Sequence, residues 1–333
     1  MGRGRTRRQF LALSAGAMLS TWLPGSAAPV RAQGLIPLNV GLGFHNLDAA
    51  AAWIAQDKQY FQKFGLDVTI VEFQGGAKSI AALVSGDVPL NLQSGVEVVN
   101  ARSKGFPVTM IAGLVNKFAF DFVVSKNITG AAQLKGTKCA ISSFGGSSDF
   151  AARFALRKLG LDPADVTLLP TGNESSRLAA LQSGQIQSTV LTAGLDLAAF
   201  DMGYRPLLRL YDLDQPYLSS GVAVNTNWAK AHPAIVDSFL KAIVSADVFM
   251  KNRLNIAAAV ALLHKPLPIK VAYLTRGFEL YRDKFYQIYP MVSAPGLEFI
   301  LKELKNNQPA AAFYDNSYLQ ALENANFAGK AGQ

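Results

Sequence analysis

The sharpest cluster of chemistry-bearing residues is Ser142-Ser143-Phe144-Gly145-Gly146-Ser147-Ser148-Asp149, which runs directly into a helical pattern. Hydroxyls beside glycines at a helix start form a cradle of N–H donors for an oxyanion. The same residues also suit an N-cap and a turn. The Gly-Lys-Ser/Thr ending of a Walker loop is missing, so this is no nucleotide phosphate cradle. Loops of similar character recur: Gly43-Phe44-His45-Asn46, Gln74-Gly75-Gly76, Gln93-Ser94-Gly95, Asn116-Lys117, Thr171-Gly172-Asn173-Glu174 and Thr192-Ala193-Gly194. They are rich in small polar residues and poor in charge, and none contains Arg. Glu174 either caps a helix start or meets a donor on a ligand. Phe44 and Phe144 occupy matching loops and could clamp a flat ligand between them, whereas Trp53 reads as core.

Covalent or metal chemistry is hard to assemble from this chain. It has three histidines and one cysteine. His232 and His264 precede prolines or helix starts and read as surface or capping residues; only His45 stands in a ligand loop. Cys139 falls within a strand pattern, as a buried inert thiol would. Neither a Gly-x-Ser-x-Gly elbow nor a His-Glu-x-x-His pair occurs. No cofactor and no metal is expected.

The elements that must hold these loops follow from an internal repeat. Shifted by 98, residues 67–95 align with 165–193 without a gap, with eight identities in 29 positions. Each copy alternates strand and helix. The first has strands at Leu38–Leu42, Val68–Phe73 and Val88–Leu92, with a helix over Asp48–Phe64 and another from Gly76 to Gly86. The second has strands at Lys138–Ile141, Val166–Leu169 and Gln187–Leu191 and helices over Ser148–Leu159 and Glu174–Ser183. Such alternation predicts two similar α/β lobes, each with a mostly parallel sheet, and ligands outside the carboxyl ends of the strands. Phe120–Ser125 and Gly221–Asn225 read as strands crossing between lobes. The expected organisation is 1–32 as a leader, 33–125 and 222–333 as lobe I, and 126–221 as lobe II. A helical tail from Asn227 should pack on lobe I, and the cleft should close on its ligand by a hinge.

Composition narrows the function class. Half the 333 residues are hydrophobic and 17% are charged, which excludes disorder and allows a large core. The net charge of +9 is deceptive. Arg3, Arg5, Arg7, Arg8 and Arg31 lie in the first 32 residues without an acid, so 27 bases face 23 acids in the rest. That thin surplus speaks against nucleic acid as a partner. Arg7-Arg8-Gln9-Phe10-Leu11, a short apolar stretch and Val30-Arg31-Ala32 read as a twin-arginine export signal cut near Ala32-Gln33. No Cys follows for a lipid anchor, so a free periplasmic protein is expected.

Over about residues 38–250 the chain resembles the solute-binding proteins of ABC importers, of the sulfonate, nitrate and thiamine-precursor type. The residues that carry the resemblance are Tyr60-Phe61-Gln62-Lys63-Phe64-Gly65-Leu66-Asp67-Val68, Glu72-Phe73-Gln74-Gly75-Gly76, Ala82-Leu83-Val84-Ser85-Gly86-Asp87-Val88, Gln133-Leu134-Lys135-Gly136 and Ala180-Leu181-Gln182-Ser183-Gly184. The resemblance implies a type II periplasmic binding fold, a monomer, capture of a small solute and delivery to an inner-membrane permease. It implies ligand contacts at Phe44, His45, Gly75, Gly76, Ser94, Gly95, Gly145 to Ser148 and Asn173. Ala193 stands where the family often has Pro. Without Arg in the loops, an anion would depend on N–H groups, hydroxyls and Lys117, which leaves a neutral or aromatic solute open. A sensor partner would keep the same cleft. A related pyrimidine synthase, which consumes its own histidine and needs a cysteine-rich iron site, would need cysteines that this chain does not have.

Overall fold

The computed structural model describes residues 34–331. The twin-arginine segment and its Ala32-Gln33 junction lie outside them. Ten strands form two sheets: β1 Ile36–Leu42, β2 Leu66–Glu72, β3 Leu90–Gln93, β4 Val108–Lys117, β5 Phe120–Val124, β6 Lys138–Ile141, β7 Thr167–Pro170, β8 Ser188–Thr192, β9 Arg205–Arg209 and β10 Pro216–Asn225. One sheet has the order β2-β1-β3-β10-β4 and the other β7-β6-β8-β5-β9. The repeat is therefore a repeat of topology. β1 pairs in parallel with β2 and β3, as β6 does with β7 and β8. The strands that arrive from the other lobe, β10 and β5, join antiparallel. The fold is α/β, with helices packed on both mixed sheets.

The crossings differ in place from the sequence expectation. Phe120–Val124 lies in the second sheet, so the chain leaves lobe I through Phe118-Ala119 and not at Ser125. It returns over 210–215 and not near Val222, which sits deep inside β10. A strand pattern reports extended backbone but not which sheet receives it. Phe118 of one crossing stacks on Tyr217 at the end of the other, with centroids 3.9 Å apart and planes within 8°. Both rings are fully buried and join the two crossings in one aromatic core.

Local signals explain the helix limits. The run over 48–64 breaks into Ala50–Asp57 and Tyr60–Lys63 because Gln59 takes a left-handed conformation, φ 57°. Gly86, φ 88°, ends Gly76–Ser85 with the conformation that glycine adopts without a Cβ penalty. The tail is helical, and its helix Pro233–Lys251 lies on Ala50–Asp57 and on Tyr60–Lys63, where Phe239 stacks on Phe61 at 5.3 Å. It is not confined to lobe I. The Tyr273 hydroxyl of helix Val271–Lys284 donates to Asp201 of the second lobe.

Candidate functional site

The carboxyl ends of β1, β2, β6 and β7 face one another across a cleft of about 160 Å³. A cavity of that order, ~150 Å³, accommodates a benzene-sized molecule. Of the sequence candidates, Phe44, His45, Gln74, Gly75, Gly76, Ser147, Ser148, Asn173 and Glu174 lie on its wall. Their placement has local causes. Asn173 caps helix Glu174–Gln182 through Ser176 N at 2.9 Å, and Ser148 Oγ accepts from Ser142 N at 2.7 Å, tying the second-lobe loop to its own helix. Gly76 has a different purpose: a Cβ there would overlap Glu97 Oε1.

Other candidates stand elsewhere. Ser94 and Thr192 act from behind the wall, each donating its hydroxyl to a carboxylate, Glu97 and Glu174 respectively. Ser143 Oγ packs near Gly75 and Gly146 and finds no partner. Gly146 precedes the helix Ser147–Lys158, where a Cβ would lie 3.0 Å from Glu97 Oε1. Further candidates lie away from the wall. Gly95 is a packing glycine against Leu218 and Ile300. Asn116 ties the tail, bonding Gly113 O, Met291 O and Ser293 N. Phe144 is 57% exposed and, with Gly145, faces a separate groove beside Ile80, Val84 and Phe106, so it cannot clamp a ligand against Phe44. Lys117 pairs with Asp214 outside the cleft.

Sequence reasoning missed the wall's charge. Asp48, Glu72, Glu97 and Arg177 all line the cleft, together with Asn46, Phe73, Phe120 and Ser219. Arg177 reaches it from the first helical turn after the Asn173 cap, not from a loop. Its guanidinium, 3% exposed, donates to Gly172 O, Val190 O and Thr189 Oγ1 and lies 3.9 Å from Glu174 Oε1. Burial lowers its proton affinity and the Glu174 charge partly restores it. Glu174 also bridges the lobes, accepting from Asn46 Nδ2 at 2.6 Å and from Thr192 N at 2.9 Å. Both bonds are structural, and the one from Asn46 crosses the cleft.

Burial dominates the remaining acids. Asp48 is pushed up to about 7, chiefly by desolvation; hydrogen bonds from Tyr281 (2.7 Å) and Ser219 (3.3 Å) oppose this, and the Glu174 charge adds to it. Glu97 is also raised by burial, though Ser94 and Ser147 N hold its oxygens, the latter at 3.0 Å. His45 lies between Glu72 Oε2 (3.0 Å) and the Pro266 carbonyl (2.5 Å), edge-on to Trp53. Both its nitrogens thus meet acceptors. The Cys139 thiol is pushed up to about 11 by burial, far from a nucleophilic thiolate. Among the described residues no group of three or more His, Cys, Asp or Glu is placed to hold a metal ion. The arrangement suits reversible, hydrogen-bonded capture.

Comparison with known proteins bears on this cleft. A family model described as NMT1/THI5 like matches residues 46–253. The taurine-binding periplasmic protein of Escherichia coli is 26% identical over 243 residues, 69% of this chain and 74% of that protein. A 4-amino-5-hydroxymethyl-2-methylpyrimidine phosphate synthase of Saccharomyces cerevisiae is 32% identical over 85 residues, 26% of this chain; the chain thus spans only 22% of that relative's length. The alkanesulfonate-binding protein SsuA from Xanthomonas axonopodis pv. citri, solved with MOPS, superposes with a TM-score of 0.72 at 19% identity, over 85% of this chain and 99% of that one. The fold is that of the periplasmic binding proteins.

Proposed function

The chain belongs to the NMT1/THI5-like family, and on that premise we propose that it is the extracytoplasmic solute-binding component of an ABC importer. It captures a small solute between its lobes and hands it to a membrane permease. One observation carries this: the small cleft at the strand ends is walled by loops of both lobes, so no ligand can fill it without touching both. A solute with extra contacts in the closed form shifts the protein toward that form by the difference in affinity. Export through the twin-arginine route to the periplasm and action as a monomer belong to the same proposal. A synthase-like enzyme is less well supported, since the buried Cys139 and the hydrogen-bonded His45 leave no free nucleophile–base pair in the wall. A sensor partner would use the same cleft and is separated from importer function by whether solute uptake depends on this chain.

The test is a thermal-shift panel on the mature protein: sulfonates, nitrate, pyrimidines, aromatic acids and amines, followed by solution scattering with each hit. A solute that raises the melting temperature and reduces the radius of gyration is expected. Tight binding with no compaction would remove the clamp, and silence across the panel would remove solute binding itself.

A further inference from the structure

In the wall of this cleft the charged donor and one helix-start N–H are already committed, while buried acceptors are left over. At the helix N-terminus at Ser147, a natural seat for a sulfonate or nitrate, the first N–H is already taken, because Ser147 N donates to Glu97 Oε1 at 3.0 Å. An anion seated on that N–H would have to displace the Glu97 carboxylate or lie against it. Arg177 spends its guanidinium on two carbonyls, Thr189 and Glu174, and His45 is held by Glu72 and a carbonyl. On the acceptor side, each Asp48 oxygen receives one O–H donor, which leaves lone pairs over on a carboxylate that can accept about four. Gln93 Oε1, fully buried against Gly43 of the wall, accepts no hydrogen bond at all. A buried unpaired acceptor is costly until a donor meets it.

Building on the solute-binding function proposed above, we infer that the cleft selects a small organic cation, a protonated amine or an amidinium on a compact apolar body, and refuses anions of the same shape. The N–H donors meet Asp48 and its neighbouring acceptors, and the apolar body lies on Phe44, Phe73 and Phe120. Asp48 is faced by Tyr281 and Tyr286 from the tail, Tyr217 from β10 and Glu174 from the second lobe, none of them a cation. A bound cation therefore draws the Asp48 carboxyl down from about 7. Binding then releases a proton near neutrality, and affinity falls as the pH drops through 7.

The experiment is titration calorimetry of the full chain with four probes that share one ring: benzamidinium, benzamide, benzoate and benzenesulfonate. Benzamidinium should bind at least about tenfold more tightly than benzamide, and the two anions should give no heat. Its affinity should fall by about tenfold from pH 8 to pH 6, and its apparent enthalpy should depend on the buffer's ionisation enthalpy. Asp48→Asn should weaken it and cancel the proton release. Because that variant leaves one acceptor oxygen where Tyr281 and Ser219 now use two, the wild-type buffer dependence stands as an independent readout. Preference for benzoate or benzenesulfonate, or no binding of benzamidinium, overturns the inference. If another solute of the panel above then binds, solute capture survives; if the whole panel is silent, both fall.

Discussion

The two lobes seat a carboxylate in the same corner by different means. The shift of 98 that aligns them pairs Ser94 with Thr192 and Gly76 with Glu174. In each lobe the hydroxyl at the end of the third strand donates to a carboxylate: Ser94 to Glu97, Thr192 to Glu174. In the second lobe that carboxylate grows from the helix start after β7. In the first, the matching position is Gly76, and Glu97 from the following helix fills the space its missing Cβ leaves. The counter-charges differ as well. Glu174 has Arg177, whereas Glu97 has only the Ser147 N–H across the cleft. The repeat thus keeps a polar corner rather than a residue, and the two corners should answer mutation unequally.

The largest effect should come from Glu174→Gln, which leaves Arg177 buried without its anion and should cost about 3–5 kcal/mol. Glu97→Gln should cost well under half of that, because burial already favours the neutral form and the amide keeps the shape. Equal denaturation midpoints for the two variants would dissolve the comparison. Next comes Gly76→Val, which drives a side chain into Glu97: a loss of about 1–3 kcal/mol is expected, with ligand binding abolished. Retained affinity there would show that the first-lobe carboxylate does not shape the cleft. The smallest effects belong to the paired hydroxyls. Ser94→Ala and Thr192→Val should each cost about 0.5–1.5 kcal/mol in urea unfolding, with Thr192 the larger because its partner is ion-paired.

Much of the fold was legible because strand and turn signals act over a few residues. Lys138–Ile141 is a strand in the sequence pattern and in the structure, and Gly86 closes the helix it was expected to close. β4 and β9 were not assigned. Val108–Val115 is buried at every position, and a continuous apolar run has no period to distinguish strand from helix. β9 has the opposite fault, a half-exposed edge with Arg at both ends. Within the site, Gly75-Gly76, Asn173 and Ser147-Ser148 could be found from their place at strand ends. Asp48, Glu97 and Arg177 could not, because a charged residue in the first turns of a helix suggests solvent exposure until its neighbours are known.

The sequence by itself determined two α/β copies, their order, and loops of small polar residues at the strand ends, since β-branched runs and glycine punctuation are local properties of the chain. The tertiary structure decided the sign of the cleft. Glu97 and Ser147 are 50 residues apart and belong to different lobes, yet their bond turns a ready oxyanion cradle into a donor already spent. Asn46 and Glu174, 128 residues apart, close the other side of the same wall. Charge in a buried site depends on which groups share a low-dielectric space, and that is fixed only when the two lobes are brought together.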